Sequence, residues 1–321
     1  MDIVYTINTA FLPYTAVSMT SLCCFARGPL RFFVLGLGLS EEDKRKLEQH
    51  LARRPRTEVR FVDLDDIRSY FDFSFDTAGF HPIVLARLIL DRLLPDDVGR
   101  LLYLDADTLV RGDIAGLWET DLRGCAIGAC IEPTYSLKRK AALGLRGRPY
   151  FNAGVLLIDL PVWREKKTGE EILRYYRAHS GKLFANDQDA INASQKGKIR
   201  PLPVEYNYQN TYDYYSYRLL EKNCDYPVPS EKEIERARRN PCIVHFLGEE
   251  RPWRVGNTNR FRKEYARFLT MTPWAGQGFE AGWELYFRFW RMFNSFTRPF
   301  PMLRLFVIQT LMPLMLKTKH R

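Results

Sequence analysis

The chain predicts an α/β fold: a mostly parallel central sheet with helices on both faces, followed by a C-terminal helical tail. Three observations carry this. Short apolar runs alternate with helix-length segments through the first ~130 residues, the pattern of right-handed βαβ units. One run, Leu101-Leu102-Tyr103-Leu104, lacks polar alternation and reads as a strand buried on both faces. That run ends in Asp105-Ala106-Asp107-Thr108, two carboxylates at the strand edge where open α/β sheets bind ligands.

The elements follow in order. The β-branched run MDIVYTIN predicts a first strand ending at the same sheet edge as Asp105. A helix is expected from about Tyr14 to Phe25 and a strand over Arg31 to Leu35. Ser40 caps a helix through Leu51, with Glu42 and Asp43 in its first turn. Val59 to Val62 is a short strand. His81 to Leu94 has apolar residues at helical spacing with Pro82 at its start, which predicts a helix. Ala126 to Ile131, Gly154 to Ile158 and Ile243 to Phe246 read as strands, and the basic segment Lys138 to Arg148 as a flexible loop. Six tyrosines occupy the twelve positions Tyr206 to Tyr217, as an aromatic acceptor-side loop or as core packing.

With 321 residues, 46% of them hydrophobic and 27% charged, the chain can bury a full core, which excludes wholesale disorder. The net charge of +10 is uneven. From Ala281 onward seven basic residues (Arg288, Arg291, Arg298, Arg304, Lys317, Lys319, Arg321) meet one acid, Glu284, so one end is suited to an anionic surface. The six cysteines show no CxxC spacing, and no basic-then-apolar leader is visible at the start. A reduced, cytosolic setting is the expectation. Neither GxGxxG nor GxxxxGK[ST] occurs, so hydride-transfer and P-loop readings lose ground.

Several segments carry candidate chemistry. Asp105 and Asp107, at i and i+2, supply hard oxygen ligands for a divalent cation that also holds a diphosphate; the competing reading is an Asx turn. His245 ends an apolar run and can complete that site, or stand as a core histidine before a turn. Gly248 lets backbone approach a phosphate, and Arg251 carries a neutralising charge. Phe151-Asn152-Ala153-Gly154 offers an amide for a sugar hydroxyl, or a plain turn. Asn186 is a candidate N-cap for a helix through Ala193, placing Asp187 and Gln188 at its N-terminus. Arg87 alone reads as a helix-surface charge.

Taken jointly, these motifs resemble the family 8 glycosyltransferases, the bacterial lipopolysaccharide galactosyl- and glucosyltransferases related to glycogenin. The resemblance spans roughly residues 1–255: MDIVYTIN, the Ala-Arg-Leu of Arg87, Asp-x-Asp, Phe-Asn-Ala-Gly at 151–154, Asn-Asp-Gln-Asp at 186–189, and His-x-x-Gly-x-x-Arg-Pro-Trp at 245–253. It implies a GT-A fold and transfer of galactose or glucose from UDP-hexose to a glycan or glycolipid acceptor with retention. The implied cofactor is Mn²⁺, with Mg²⁺ as the alternative. Asp105, Asp107 and His245 are the implied metal ligands. Gly248 and Arg251 would meet the diphosphate; Arg87, Asn152, Asp187 and Gln188 would contact the donor sugar or flank its anomeric carbon. Asp105 and Ala106 join the donor-contacting set, and Thr6, Asn8 and Phe11 stand where uracil and ribose bind. Asn8 replaces a frequent acid, Arg251 the usual Lys, and Glu132 an Asp.

The implied organisation is a catalytic domain over 1–255, a connecting segment over 256–278 and a basic aromatic tail over 279–321. The apolar stretch Pro301 to Leu316 is sixteen residues and contains Arg304 and Pro313, short of the ~20 that span a bilayer. Trp283, Phe287, Trp290, Arg288 and Arg291 fit a helix lying on a membrane surface, or one packed on the catalytic domain or a dimer partner. The expected place is the cytoplasm, peripherally on the inner face of the cell membrane. Two other classes stay open: a metal-dependent nucleotidyltransferase, and a basic nucleic-acid-binding protein, against which no such motif appears.

Overall fold

The computed structural model describes residues 1–77 and 79–319, the side chains of 311–319 excepted. In chain order the strands are β1 (Asp2–Asn8), β2 (Leu30–Leu37), β3 (Thr57–Asp63), β4 (Arg100–Leu104), β5 (Thr108–Val110), β6 (Ile127–Ile131), β7 (Phe151–Asp159), β8 (Ile199–Leu202), β9 (Tyr208–Gln209) and β10 (Ile243–His245). Seven form one sheet in the order β3-β2-β1-β4-β7-β6-β8, and β5-β10-β9 form a second. In the large sheet β7 runs antiparallel to both neighbours, β4 and β6, and every other pairing is parallel. An apolar run such as Val155 to Ile158 looks the same in either direction, so this reversal leaves no mark on the sequence.

Both faces of the sheet are covered, and side-chain alternation divides the core accordingly. Ile3, Tyr5, Ile7, Phe32, Val34, Leu102 and Leu104 feed one cluster. Val4, Phe33, Leu35, Leu101 and Tyr103 feed the other. In the third cluster Tyr208, Tyr212 and Tyr215 pack with Val244, Phe246 and Trp253, so core packing claims half of the tyrosine-rich stretch.

Three local expectations are corrected. His81 to Leu94 is a 3₁₀ helix over Pro82–Leu88 and a short α-helix over Leu90–Leu93. Ile83, Leu85, Ala86, Arg87 and Leu88 are all buried, leaving no solvent face to favour a regular amphipathic helix. Lys138 to Arg148 contains a helix, Leu137–Ala142, pinned by buried Lys140, which pairs with Asp225 and lies 4.1 Å from the Tyr226 ring. Asn186 is the first residue of its helix rather than the cap, at φ +48°, with its Oδ1 accepting from Tyr176 Oη at 2.6 Å. The cap bond comes from Asp189, whose Oδ2 accepts from the Ala185 N–H at 2.9 Å.

The tail forms two helices, Glu284–Thr297 and Pro301–Lys319. No helix among the described residues is long and apolar enough to cross a membrane. Trp283, Phe287 and Trp290, expected on a lipid-facing side, turn toward the catalytic domain: Phe287 is buried, Arg254 stacks 3.5 Å from Trp283, and Trp290 donates to Glu250. Leu285, Phe289, Met292 and Phe296 are exposed instead, as are Phe300, Met302, Leu303 and Phe306 further on. Arg304 is buried between the helices, while the side chains of Lys317 and Lys319, and Arg321, lie outside the described residues.

Candidate active site

A cleft of ≈ 510 Å³ opens beyond the C-terminal ends of β1 and β4, within the range of small-molecule sites. Thr6, Asn8, Phe11, Arg87, Asp105, Ala106, Asp107, Asn152, Asp187, Gln188, His245, Gly248 and Arg251 all line it. Residues separated by more than two hundred positions meet because β1 and β4 lie side by side, and β5, which begins just after Asp107, pairs with β10 so that His245 stands opposite Thr108.

At the floor, one ligand atom each of Asp105, Asp107 and His245 lies within 4.8 Å of the others. His245 Nε2 is 3.2 Å from Asp107 Oδ1 and 3.8 Å from Asp105 Oδ2. Asp105 and His245 are held from behind. Asp105 Oδ1 accepts from Arg87 Nη2 at 2.8 Å and from Tyr103 Oη at 2.9 Å, which leaves Oδ2 facing the imidazole. His245 Nδ1 lies 3.1 Å from Asn207 Oδ1. Since that oxygen only accepts, Nδ1 carries the proton and Nε2 turns a lone pair toward the carboxylates when the ring is neutral. Two carboxylates and such an imidazole fit a divalent cation. The cradle leaves no room for more: a Cβ on Gly154 would fall 2.1 Å from His245 Cε1 and 2.8 Å from Asp105 Oδ2.

Without a cation these groups lean on one another. Burial alone would raise Asp107, but His245 and then Arg251 hold it below its ordinary value. Burial would likewise lower His245, and Asp107 with Asp105 raises it instead. A proton and a metal ion therefore compete for Nε2.

One rim carries Gly248 and Arg251. Gly248 has φ +63°, which glycine adopts without strain. Arg251 Nη2 reaches Asp107 Oδ2 at 3.4 Å, and the guanidinium sits 5.3 Å from the Phe11 ring and 5.7 Å from that of Trp253.

The opposite wall is a polar network. Gln188 Oε1 accepts from the Ala153 N–H at 2.9 Å, and its Nε2 is 3.1 Å from both Glu132 Oε2 and Tyr150 Oη. Asn152 Nδ2 donates to the same Glu132 oxygen at 3.0 Å, and Asn152 Oδ1 accepts from Asn207 Nδ2 at 2.9 Å. Burial raises the Glu132 carboxyl. Arg87 is buried rather than on a helix surface; its Nε lies 3.1 Å from Asp187 Oδ2 and its Nη1 donates to Ala153 O at 2.8 Å. Asp187 is pushed up to about 6 by burial, against the pull of Arg87.

Sequence reasoning missed Asn207, Tyr103 and Tyr150. Asn207 sat inside a tyrosine-rich stretch and Tyr103 inside an apolar run, so neither carried a signal of its own.

A mostly parallel sheet covered on both faces, with a carboxylate–imidazole trio beyond its edge, is the architecture of the GT-A enzymes. The chain belongs to glycosyl transferase family 8, whose model matches residues 2–256. It is 25% identical over 248 residues to General stress protein A of Bacillus subtilis, covering 76% of this chain and 84% of that one. It is also 25% identical over 284 residues to a lipopolysaccharide 1,3-galactosyltransferase of Salmonella typhimurium, covering 85% and 79% of the two chains. Among solved structures it is similar to the galactosyltransferase LgtC in complex with donor and acceptor sugar analogs: TM-score 0.70, 25% identity, 85% of this chain and 96% of that one. The protein is a glycosyltransferase, with a sugar donor and a glycan acceptor as its partners. Family membership favours sugar transfer over the nucleotidyltransferase reading.

Proposed function

We propose that this enzyme moves galactose or glucose from a UDP-sugar to a sugar hydroxyl of a lipopolysaccharide-type glycan or its glycolipid precursor, with retention at the anomeric carbon. The observation that carries this reading is the convergence of Asp105, Asp107 and His245 on one point of the cleft floor, with Arg251 alongside. The similarity to a lipopolysaccharide galactosyltransferase supports the hexose and the acceptor class.

Asp105, Asp107 and His245 would hold Mn²⁺ or Mg²⁺, which when bound supplies Lewis-acid charge for the departing diphosphate. Arg251 and backbone N–H groups around Gly248 neutralise the same phosphates. Thr6, Asn8 and Phe11 hold the uridine end, and Arg87, Ala106 and Asn152 help orient the donor. Gln188 stands beside the anomeric carbon. Its carbonyl oxygen, already accepting one bond, is a poor nucleophile and serves to stabilise positive charge developing on the sugar. The acceptor hydroxyl attacks from the leaving-group face and gives its proton to a diphosphate oxygen. Asp187 is the carboxylate for the rival two-step route; trapping a glycosylated peptide containing Asp187 or Gln188 would overturn the front-face scheme.

Catalysis belongs to residues 1–255, linked by 256–278 to a tail that rests on the inner face of the cell membrane. Exposed Leu285, Phe289, Met292 and Phe296, with exposed Arg288, Arg291 and Arg298, support this. Co-sedimentation with anionic liposomes should be lost on deleting 279–321.

The test of the activity is consumption of UDP-galactose and UDP-glucose with Mn²⁺ and a sugar acceptor. Turnover of one or both, abolished by chelator, is expected; inertness toward both sinks the donor assignment.

A further inference from the structure

The loop that carries Gly248 and Arg251 has few means of holding its own shape. Gly248 has no side chain, and the space around it is open, since a Cβ there would meet nothing within 4 Å. Between these two cleft-lining residues stands Glu250, 8% exposed and absent from the lining. Its carboxylate accepts from three donors on two segments: Asn210 Nδ2 and Tyr214 Oη (2.5 Å) of the tyrosine-rich stretch, and Trp290 Nε1 of the first tail helix. The same helix reaches Tyr214 again through Asn294 Nδ2 at 3.4 Å, and Arg304 of the second tail helix lies 3.8 Å over the Tyr214 ring. Just past the loop, Arg254 donates to Glu249 O at 3.2 Å and to Glu280 Oε2 at 3.0 Å. A buried carboxylate that loses a donor costs more than an exposed one, so these bonds fix the loop more firmly than their number suggests.

We propose that Glu250 is a positioning residue, through which the C-terminal helices hold the 247–251 loop in the shape that receives the donor's diphosphate. The tail is thus part of the donor site as well as a surface element. Because coupling between two sites is reciprocal, donor binding must steady the first tail helix as much as that helix steadies the loop. The diphosphate part of this inference rests on the UDP-sugar reading; the holding of the loop does not.

The test uses the full-length protein, as wild type, Glu250→Gln and Trp290→Phe. The first variant removes the charge at nearly constant side-chain volume, and the second removes the N–H donor while keeping an aromatic ring. Amide hydrogen exchange across 246–252 without ligand should accelerate about tenfold in both variants, and the UDP dissociation constant in Mn²⁺ should rise about as much. Affinity for Mn²⁺ alone should not change. In the wild type, UDP with Mn²⁺ should slow exchange in Glu284–Thr297. A purely structural Glu250 would lower the melting temperature while leaving loop exchange and UDP affinity alone, and that result overturns the proposal. Wild-type protein that takes up no UDP would fell the donor reading instead, with loop exchange deciding the positioning role.

Discussion

At the floor of the cleft two of the three candidate ligands are braced by other polar groups, whereas at the Asn8 end a buried polar atom stands without a protein partner among the described residues. Asp105 has Arg87 and Tyr103 behind it, and His245 has Asn207. By contrast Asn8 Oδ1 is buried with no hydrogen-bond partner among the described residues, and nearby Phe80 is 44% exposed. The two ends follow different design rules. The floor is preorganised, so its dipoles are already aimed when charge develops on the leaving group. The far end is completed by what enters it: a buried acceptor without a donor is unfavourable in the free protein and gains a partner on binding. Chemistry should therefore be sensitive to the floor, and donor affinity to the far end.

The severest way to break this contrast is Gly154→Ala. Its methyl group would overlap His245 and crowd Asp105, so turnover should fall by roughly three orders of magnitude as the ligand set is forced apart. Turnover near the wild-type rate would show that the floor tolerates rearrangement. Next comes Asn207→Ala, which frees the His245 ring without touching a ligand. Mn²⁺ affinity, read by electron paramagnetic resonance, should drop about 10- to 100-fold, the usual cost of losing a partner behind a metal-binding histidine.

A third test concerns pH. The folded protein keeps Asp187 protonated up to about 6 because burial raises it, while an unfolded chain releases that proton near pH ~4. The resulting contribution to stability is complete below about pH 4 and is lost as pH rises through 6. Urea midpoints of the metal-free wild type, relative to Asp187→Asn, should decline across that window and level off above it. Parallel pH profiles for the two proteins would contradict the assignment. The mildest expected effect is at the far end. Asn8→Ala removes an acceptor unpartnered in the free protein, so the melting temperature should hold while the UDP-sugar KM rises about fivefold. A lowered melting temperature with unchanged KM would reverse the contrast.

The same division explains what was legible in the sequence. β1, β4 and the Ser40 cap were readable because each rests on local chemistry: a β-branched run, an unbroken apolar run, and a hydroxyl that accepts from the Asp43 N–H at 3.1 Å. Asp105, Asp107 and His245 stood out because charge or imidazole at the end of an apolar run is conspicuous. What supports them was hidden, because it depends on pairing across distance. Asn207 is brought beside His245 by the parallel pairing of β9 with β10. Lys140 becomes a buried anchor only because Asp225, 85 positions away, reaches it. Tyr150 finds Gln188 and Asp189 through the reversal of β7. The inward turn of the tail's tryptophans was hidden for the same reason, since Glu250 reaches Trp290 and Arg254 reaches Trp283 only in the folded chain.

Direct titration of Mn²⁺ into the metal-free protein, followed by electron paramagnetic resonance, tests the cation site at its root. One tight ion per chain is expected for the wild type. Asp105→Asn, Asp107→Asn and His245→Ala should each lose it, and lowering the pH should weaken it as His245 takes up a proton. Uptake by all three variants as tight as by the wild type would contradict the site.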